Sequence, residues 1–371
     1  MEKDIEFDKS LHIKFRKCIQ HISSFLYEKH LNLEIISASG FRSTKNGDEI
    51  VREPCIVFYC ACKGIIPFGE SEFPRNIYDF NTDVREGFFY QFPNDGFFKR
   101  STDVLDPLMM GGSISSKDFS KGGTLGGFVT LNNGNIGFIT CAHVLFDLSR
   151  LCRETEHFDV VQPAYTYKNT NNVCRIHELS CFPTTPFKGC TLDVSLVKLT
   201  NRIPEKGLFS DLSIEDLLEN GFNMENIPEY TEGTIRDYRQ DHFAHLRDPC
   251  FKWGAKTGFT RGALRLNGIS VRWFNDVIDL GQPPSRYSFV YHSQLECLGT
   301  GTSFALPGDS GALVFQLDPI ATKNDQHRFH CIGMIVGGTS DYKTVVTPIG
   351  PILEALNVKM HTFPQEKMDE S

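Results

Sequence analysis

The sequence has no run approaching the roughly 18 to 20 consecutive apolar residues that a membrane helix needs, so no membrane partner is expected. Its opening stretch, MEKDIEFDKSLHIKFRKC, holds no apolar h-region, and no secretory signal is expected either. Positive charge is also short: 38 Lys and Arg against 46 Asp and Glu leave a net charge of −8. Sequence-independent nucleic-acid binding needs clustered cations, and that class is set aside. The most basic stretch, RDYRQDHFAHLRDPCFKWGAK (236–256), interleaves its cations with Asp237, Asp241 and Asp248 and reads as a solvated surface. The Gly-rich GTLGG and GTGTS lack the Lys-Ser/Thr of a phosphate loop, which leaves nucleotide binding without support. Cys60-Ala-Cys62, with Cys55 nearby, places thiols on one side of a strand, but no second pair follows at zinc-ribbon spacing. Buried free thiols are the simpler reading. Cys18-x-x-His21, His242-x-x-His245 and His327-x-x-His330 are equally incomplete. No metal and no organic cofactor is expected.

What is present is a soluble-type composition, 40% hydrophobic and 23% charged over 371 residues, enough for two or three domains. Without export, the 12 cysteines are expected in a reducing compartment, mostly as free thiols. Residues 9–30 place Leu11, Phe15, Cys18, Ile19, Ile22 and Leu26 at helical spacing. Two strand-like runs follow, LNLEIISASGF and EPCIVFYCACKGIIPF, and with the helix they predict a small α/β domain ending near residue 100. From about 108 the pattern becomes short β runs punctuated by Gly and Asn, with a hairpin signal at GTLGGFVTL–NNGN–IGFITCAHVLF. More strands are predicted at DVVQPAY, LDVSLVKL, GALRLNGISVRWF, RYSFVYHSQLECLG, GALVFQL and FHCIGMIVGG. Many short strands point to sandwich or barrel architecture. Helices are expected at LSIEDLLENG (212–221), capped by Ser213 and Gly221, and at GPILEALNV (350–358).

The stretch SFALPGDSGALVF (303–315) raises a choice. Gly-Asp-Ser-Gly is ordinary turn chemistry, and by itself Ser310 could be only the middle of a turn. A serine hydroxyl becomes a nucleophile when an imidazole takes its proton, and that imidazole needs a carboxylate to fix its tautomer. His143 closes the strand GFITCAHVLF, and Asp193 opens the strand TLDVSLVKL. Gly308, two residues before Ser310, lets the loop expose backbone amides to a developing oxyanion. The order His, acid, Ser excludes the α/β-hydrolase arrangement, as does Ala312 in place of the second elbow glycine. Asp147 and Asp159 are rival acids, the first too local to His143 and the second weaker in strand context. Cys141, beside the histidine, reads as strand-end packing.

These segments resemble trypsin-like serine peptidases of the chymotrypsin fold. TCAHV resembles the family's histidine motif, LDVSLVKL its aspartate strand, and PGDSGALV its serine motif. KTGFTRG (256–262) is similar to a strand–turn of intracellular and bacterial members, GMIVGG to the strand that pairs with substrate backbone, and TPIGPILEAL to the closing helix. The resemblance spans roughly residues 108 to 358. The stretch GDEIVREPCIVFYCACKGIIPFGESEFPRNIYDFNTDVREGFF is similar to the leader domain of intracellular members, the plant narrow-leaf type included. The resemblance implies a mainly β chain: a chymotrypsin-like double β-barrel preceded by a small α/β domain. Its domains would be 1–100, 108–358 with an insertion at about 201–250, and a disordered tail, 359–371. It implies His143 as general base and acid, Asp193 as its orienter, Ser310 as nucleophile, and the Gly308 and Ser310 amides as oxyanion hole. Val336 and Gly337 would bind substrate, with Phe304 near the floor of the specificity pocket. The implied activity is an intracellular serine endopeptidase, cytoplasmic or nuclear, acting on proteins or peptides, with self-association left open.

Departures from the secreted members matter. Val144 and Leu306 stand where disulfide partners are usual, in keeping with a reducing compartment. IVGG occurs at 335–338, after Ser310 and behind Met334, so it is no activation site and Asp309 is expected to lack its usual amino-terminal partner. Phe304 offers no acid, so small or apolar side chains are expected at the cleaved position. Two other classes stay open. One is a catalytically silent module that holds a peptide strand by β-augmentation. The other is an ester hydrolase, which shares the mechanism but not the usual order and elbow.

Overall fold

The helix Lys9–Lys29 opens with Asp8, whose carboxylate accepts the Leu11 N–H at 2.7 Å and so satisfies an orphan donor of the first turn. Its apolar stripe buries Phe15, Cys18, Ile19 and Leu26, and Phe15 stacks on Phe80 at 4.3 Å. The computed structural model describes residues 8–44, 49–92, 103–117, 121–146, 159–164, 173–175, 177–181, 186–210, 215, 218, 222, 228–239, 249–277, 285–317 and 329–364. The expected helix at 212–221 lies largely outside them.

The two apolar runs after the helix become the strands Leu33–Ser39 and Cys55–Cys60, antiparallel to each other and buried along their whole length. Phe80–Glu86 joins in parallel beside Cys55–Cys60. This leader region is not a separate sheet. Ile35 and Ile36 pair with Val271 and Ser270, so the leader strands continue the large sheet of the following domain.

In that domain, Pro249–Gly254, Leu313–Leu317, Phe329–Thr339, Lys343–Pro348, Ser285–Gly299 and Gly258–Val277 pair in sequence. The last pairs back to the first, closing a six-stranded barrel. Two further sheets are built from the preceding part of the chain, one of them completed by a strand that follows the barrel. One holds His177–Cys181, Val194–Lys198, Ile136–Thr140, Gly127–Thr130 and Lys359–Met360, and the other Val173–Arg175, Asp159–Val161, Ser113–Ser116 and Gly122–Thr124. The chain is therefore mainly β, with a small helix-and-strand region in front.

The strand expected over GALRLNGISVRWF is longer than the sequence pattern suggests: Gly258–Val277 has 20 residues. Its partner Ser285–Gly299 has 15 and falls where RYSFVYHSQLECLG predicted it. Register shifts between Leu264 and Val271 bend the first of them, because each bulge adds a residue and increases local twist. One end of this hairpin belongs to the barrel, while its middle holds the leader strand Leu33–Ser39. The tail also departs from expectation. Lys359–Met360 pair with Thr130 and Val129, and the Phe363 ring sits edge-on to Phe128 at 6.1 Å. Edge pairing plus a buried aromatic orders the chain as far as residue 364, and residues 365–371 lie outside the described set. The C-terminal helix falls where expected, at Ile349–Leu356, and ends on Asn357 in the left-handed conformation.

His12 links the leader helix to the long hairpin. Its Nε2 accepts the Asn267 N–H at 3.0 Å, and burial together with the Arg16 charge pulls its pKa down to about 4 from 6.5. Between those values the unfolded chain takes up a proton that the folded chain refuses. Stability therefore falls as pH drops through this window, by up to about 3 kcal/mol, and this contribution is constant below it. Urea unfolding at pH 7 and pH 4.5 should show a larger loss of stability on acidification in wild type than in His12→Gln, whose side-chain oxygen can still accept the Asn267 amide. Equal losses would remove His12 from the account.

Candidate active site

The strands Ile136–Thr140 and Val194–Lys198 are antiparallel with Thr140 opposite Ser195. That register brings residues just after Thr140 and just before Ser195 to the same end of the sheet. His143 lies in the short helix Ala142–Leu145 that turns off the first strand, and Asp193 directly precedes the second. Asp193 accepts the His143 backbone N–H on Oδ1 at 3.1 Å, and its Oδ2 lies 2.6 Å from His143 Nδ1. An ionised carboxylate only accepts, so Nδ1 carries the proton and Nε2 is left as an acceptor. Ser310 Oγ stands 2.8 Å from Nε2, delivered by the turn before the barrel strand Leu313–Leu317. In this geometry the hydroxyl can pass its proton to the ring. All three residues are buried.

Two further donors reach Asp193. Tyr291 Oη donates to Oδ2 at 3.0 Å, and Gln91 Nε2 donates to Oδ2 at 3.2 Å and to Tyr291 Oη at 2.6 Å. Burial pushes the Asp193 carboxyl up, but the His143 charge and the hydrogen bonds from His143 and Tyr291 outweigh it and hold Asp193 below the ordinary carboxylate range. Burial and the Asp193 charge drive the Tyr291 phenol far above its ordinary value, so it stays a donor. Neither residue stands out in sequence. Tyr291 is one aromatic in an alternating strand, and Gln91 comes from the leader region. Tyr291→Phe should lower kcat about tenfold or more, the worth of a hydrogen bond to a charged group, while KM moves little. A KM change without a kcat change would contradict this positioning role.

The Ser310 loop is held from both sides. Thr124 N–H donates to the Ser310 carbonyl at 2.8 Å, and Thr124 Oγ1 donates to the Gly308 carbonyl at 2.9 Å. Gly308 has φ +110°, a conformation that side-chain-bearing residues rarely adopt. It aims its N–H away from the loop, and the acceptor is the Phe92 carbonyl at 2.6 Å.

Asp309 has an internal partner in place of an amino terminus. Its Oδ2 accepts from Lys252 Nζ at 3.2 Å, Thr257 Oγ1 at 2.8 Å and Leu306 N–H at 3.0 Å, and its Oδ1 accepts the Lys256 and Thr257 N–H groups. An internal ammonium thus stands opposite Asp309 without any freed amino terminus. The same contact overturns the solvated-surface reading of 236–256 at its C-terminal end, because Lys252 and Trp253 are fully buried on a barrel strand. Alternating charge suggested exposure, but the strand puts Lys252 inside, next to the carboxylate. Burial lowers the Lys252 pKa, and the Asp309 charge opposes that shift.

Val336 and Gly337 lie on the barrel strand Phe329–Thr339 beside Ser310, whose Oγ is also 3.4 Å from the Val336 carbonyl. The edge expected to face substrate is occupied. The leader strand Phe89–Gln91 pairs there, Gln91 with Gly337, Tyr90 with Gly338 and Phe89 with Thr339. Phe304 is buried in one cluster with Phe92, Ala305 and Ile335. Of the rival acids, Asp159 lies 3.8 Å from Lys117, and Asp147 is outside the described residues.

Ligand atoms of Cys141, His143 and Asp193 lie within 4.8 Å of one another. Both imidazole nitrogens are already engaged, and Cys141 Sγ donates to the Ile335 carbonyl at 3.1 Å. Burial raises the thiol pKa far above its ordinary value, whereas coordination requires the thiolate. This donor set suits hydrogen bonding. Cys55 and Cys60 are buried and Cys62 exposed, and the nine cysteines with described side chains are all free. His21 Nδ1 meets Tyr78 Oη, while His242, His245 and His327 lie outside the described residues.

No family model matches the chain, and no curated protein does. Among solved structures it is similar to a Nocardiopsis protease (NAPase), with TM-score 0.40 and 18% identity over 68% of this chain and 98% of that one. It is also similar to a serine protease described as glutamic acid specific, with TM-score 0.39 and 15% identity over 68% and 100%. A third is Thermobifida fusca protease A, with TM-score 0.36 and 15% identity over 68% and 98%. Likenesses at these scores carry no weight in reading the site, which rests on its own geometry.

Proposed function

We propose that this chain is a trypsin-like serine endopeptidase in which Ser310 is acylated by a peptide carbonyl and water, activated through His143, then releases the acyl group. The observation that supports it is the imidazole of His143 set between Asp193 at 2.6 Å and Ser310 at 2.8 Å. In this reading Asp193 fixes the ring tautomer and stabilises the imidazolium, and the Gly308 and Ser310 amides receive the oxyanion. Phe304, Val336 and Gly337 belong to the substrate groove. Protein or peptide substrates are supported by the strand beside the serine, where an extended segment of the chain itself pairs with Gly337–Thr339. The unpaired thiols are in keeping with a reducing compartment, the cytoplasm or nucleus.

The experiment is active-site labelling with a fluorophosphonate. Prolonged exposure of wild-type protein should give a covalent adduct that Ser310→Ala abolishes and His143→Ala sharply reduces. Adduct formation that persists in Ser310→Ala would assign the reaction elsewhere. A wild-type chain that never labels would favour a silent peptide-holding module.

A further inference from the structure

We infer that residues Phe89–Phe92 sit in the groove as the acyl half of a substrate does, and that they define the substrate class: extended peptides whose cleaved residue is aromatic, as Phe92 is. The inference rests on the peptidase reading for its catalytic meaning. Its geometry stands separately.

Three features make the segment substrate-like rather than a neighbouring strand that happens to pass. Phe89–Gln91 pairs antiparallel with Gly337–Thr339, adding a strand to the barrel edge beside the nucleophile. The next carbonyl, Phe92 O, accepts the Gly308 N–H at 2.6 Å, the donor assigned above to the oxyanion. The Phe92 side chain is then buried in the same hydrophobic cluster as Phe304, the residue expected at the floor of the specificity pocket. Backbone approach this close needs small neighbours. A Cβ on Gly337 would overlap the Tyr90 carbonyl, and one on Gly338 would overlap the Phe92 ring. The residue between, Gln91, donates to Asp193 and Tyr291.

The sequence-based expectation of a small or apolar cleaved residue thereby narrows to a large aromatic one, with a second aromatic, the counterpart of Tyr90, two positions upstream. While Phe89–Phe92 is seated on this strand, an outside peptide must wait for it to leave.

The test uses the full chain carrying Ser310→Ala, so that binding is read without turnover. A fluorescent Phe-Tyr-Gln-Phe amide is titrated against this protein and against the same protein with Phe92→Gly, each checked by thermal melting. Emptying the groove raises the competent fraction, so the second protein should bind roughly tenfold or more tightly. Replacing the last Phe of the peptide by Glu should abolish the gain. Should Phe92→Gly fail to fold, Phe92→Leu keeps most of the buried volume and should give a smaller gain in the same direction. Equal binding by the two proteins, or indifference to the terminal Phe, overturns the inference. Tighter binding in a Ser310-containing chain that neither labels nor hydrolyses the peptide upholds the inference and ends the peptidase reading instead.

Discussion

Ser310→Ala should lower kcat for peptide hydrolysis about a million-fold, down to the background that groove binding and oxyanion donors alone sustain. The reason is chemical: the variant has no oxygen to be acylated, and the imidazole 2.8 Å away has no proton to take. His143→Ala should cost about as much, because the two groups act as a unit and their losses do not add. Asp193→Asn should cost about ten-thousand-fold, since an amide can hold the ring in the wrong tautomer. Folding should survive in Ser310→Ala, where a small buried hydroxyl is removed. The measurement is turnover of an aromatic-ended peptide by a chain freed of Phe92, with the melting temperature recorded beside it. A drop below tenfold for Ser310→Ala would falsify the assignment of this serine as nucleophile.

The second large effect is expected at Lys252. Lys252→Met removes the only charge opposite Asp309 that the described contacts include, while leaving the carboxylate fully buried. Breaking a buried pair from one side costs about 3 to 5 kcal/mol, because the remaining charge is uncompensated. A chain of this size should then melt roughly 4 to 6 °C lower. Activity should fall as well, since Asp309 adjoins both Gly308 and Ser310 and anchors their turn through the Leu306 N–H. Adding Asp309→Asn to Lys252→Met should restore part of the lost stability, because the buried charge is then gone from both sides. A Lys252→Met protein that melts within a degree of wild type would mean the neighbouring Thr257 and backbone donors suffice.

How much was legible in advance differs between elements. His143, Asp193 and Ser310 were readable because each carries its own local context, a strand end or a Gly-flanked turn, and nucleophilic chemistry demands those residue types together. The helix Lys9–Lys29 and the two buried leader strands were readable because hydrophobic periodicity is a local property. Lys252 was not, because a charge among other charges looks solvated until a strand turns it inward onto a carboxylate 57 positions away. Tyr291 and Gln91 were invisible for the same reason. Their partner, Asp193, lies 98 and 102 positions from them. The continuous sheet was hidden too, because the bulges that bend Gly258–Val277 toward the leader leave no local composition signal.

Chain order and residue type by themselves determined the mainly β character, the small helix-and-strand region ahead of it, and which imidazole, carboxylate and hydroxyl to look for together. Tertiary structure alone decided what surrounds those groups: a lysine as internal counter-charge, a tyrosine and a glutamine on the acid, and the chain's own Phe92 carbonyl on the Gly308 amide. The division is physical. Propensity and patterning act over a few residues, whereas desolvation and hydrogen bonding depend on which distant segments the fold brings within 3 Å of one another.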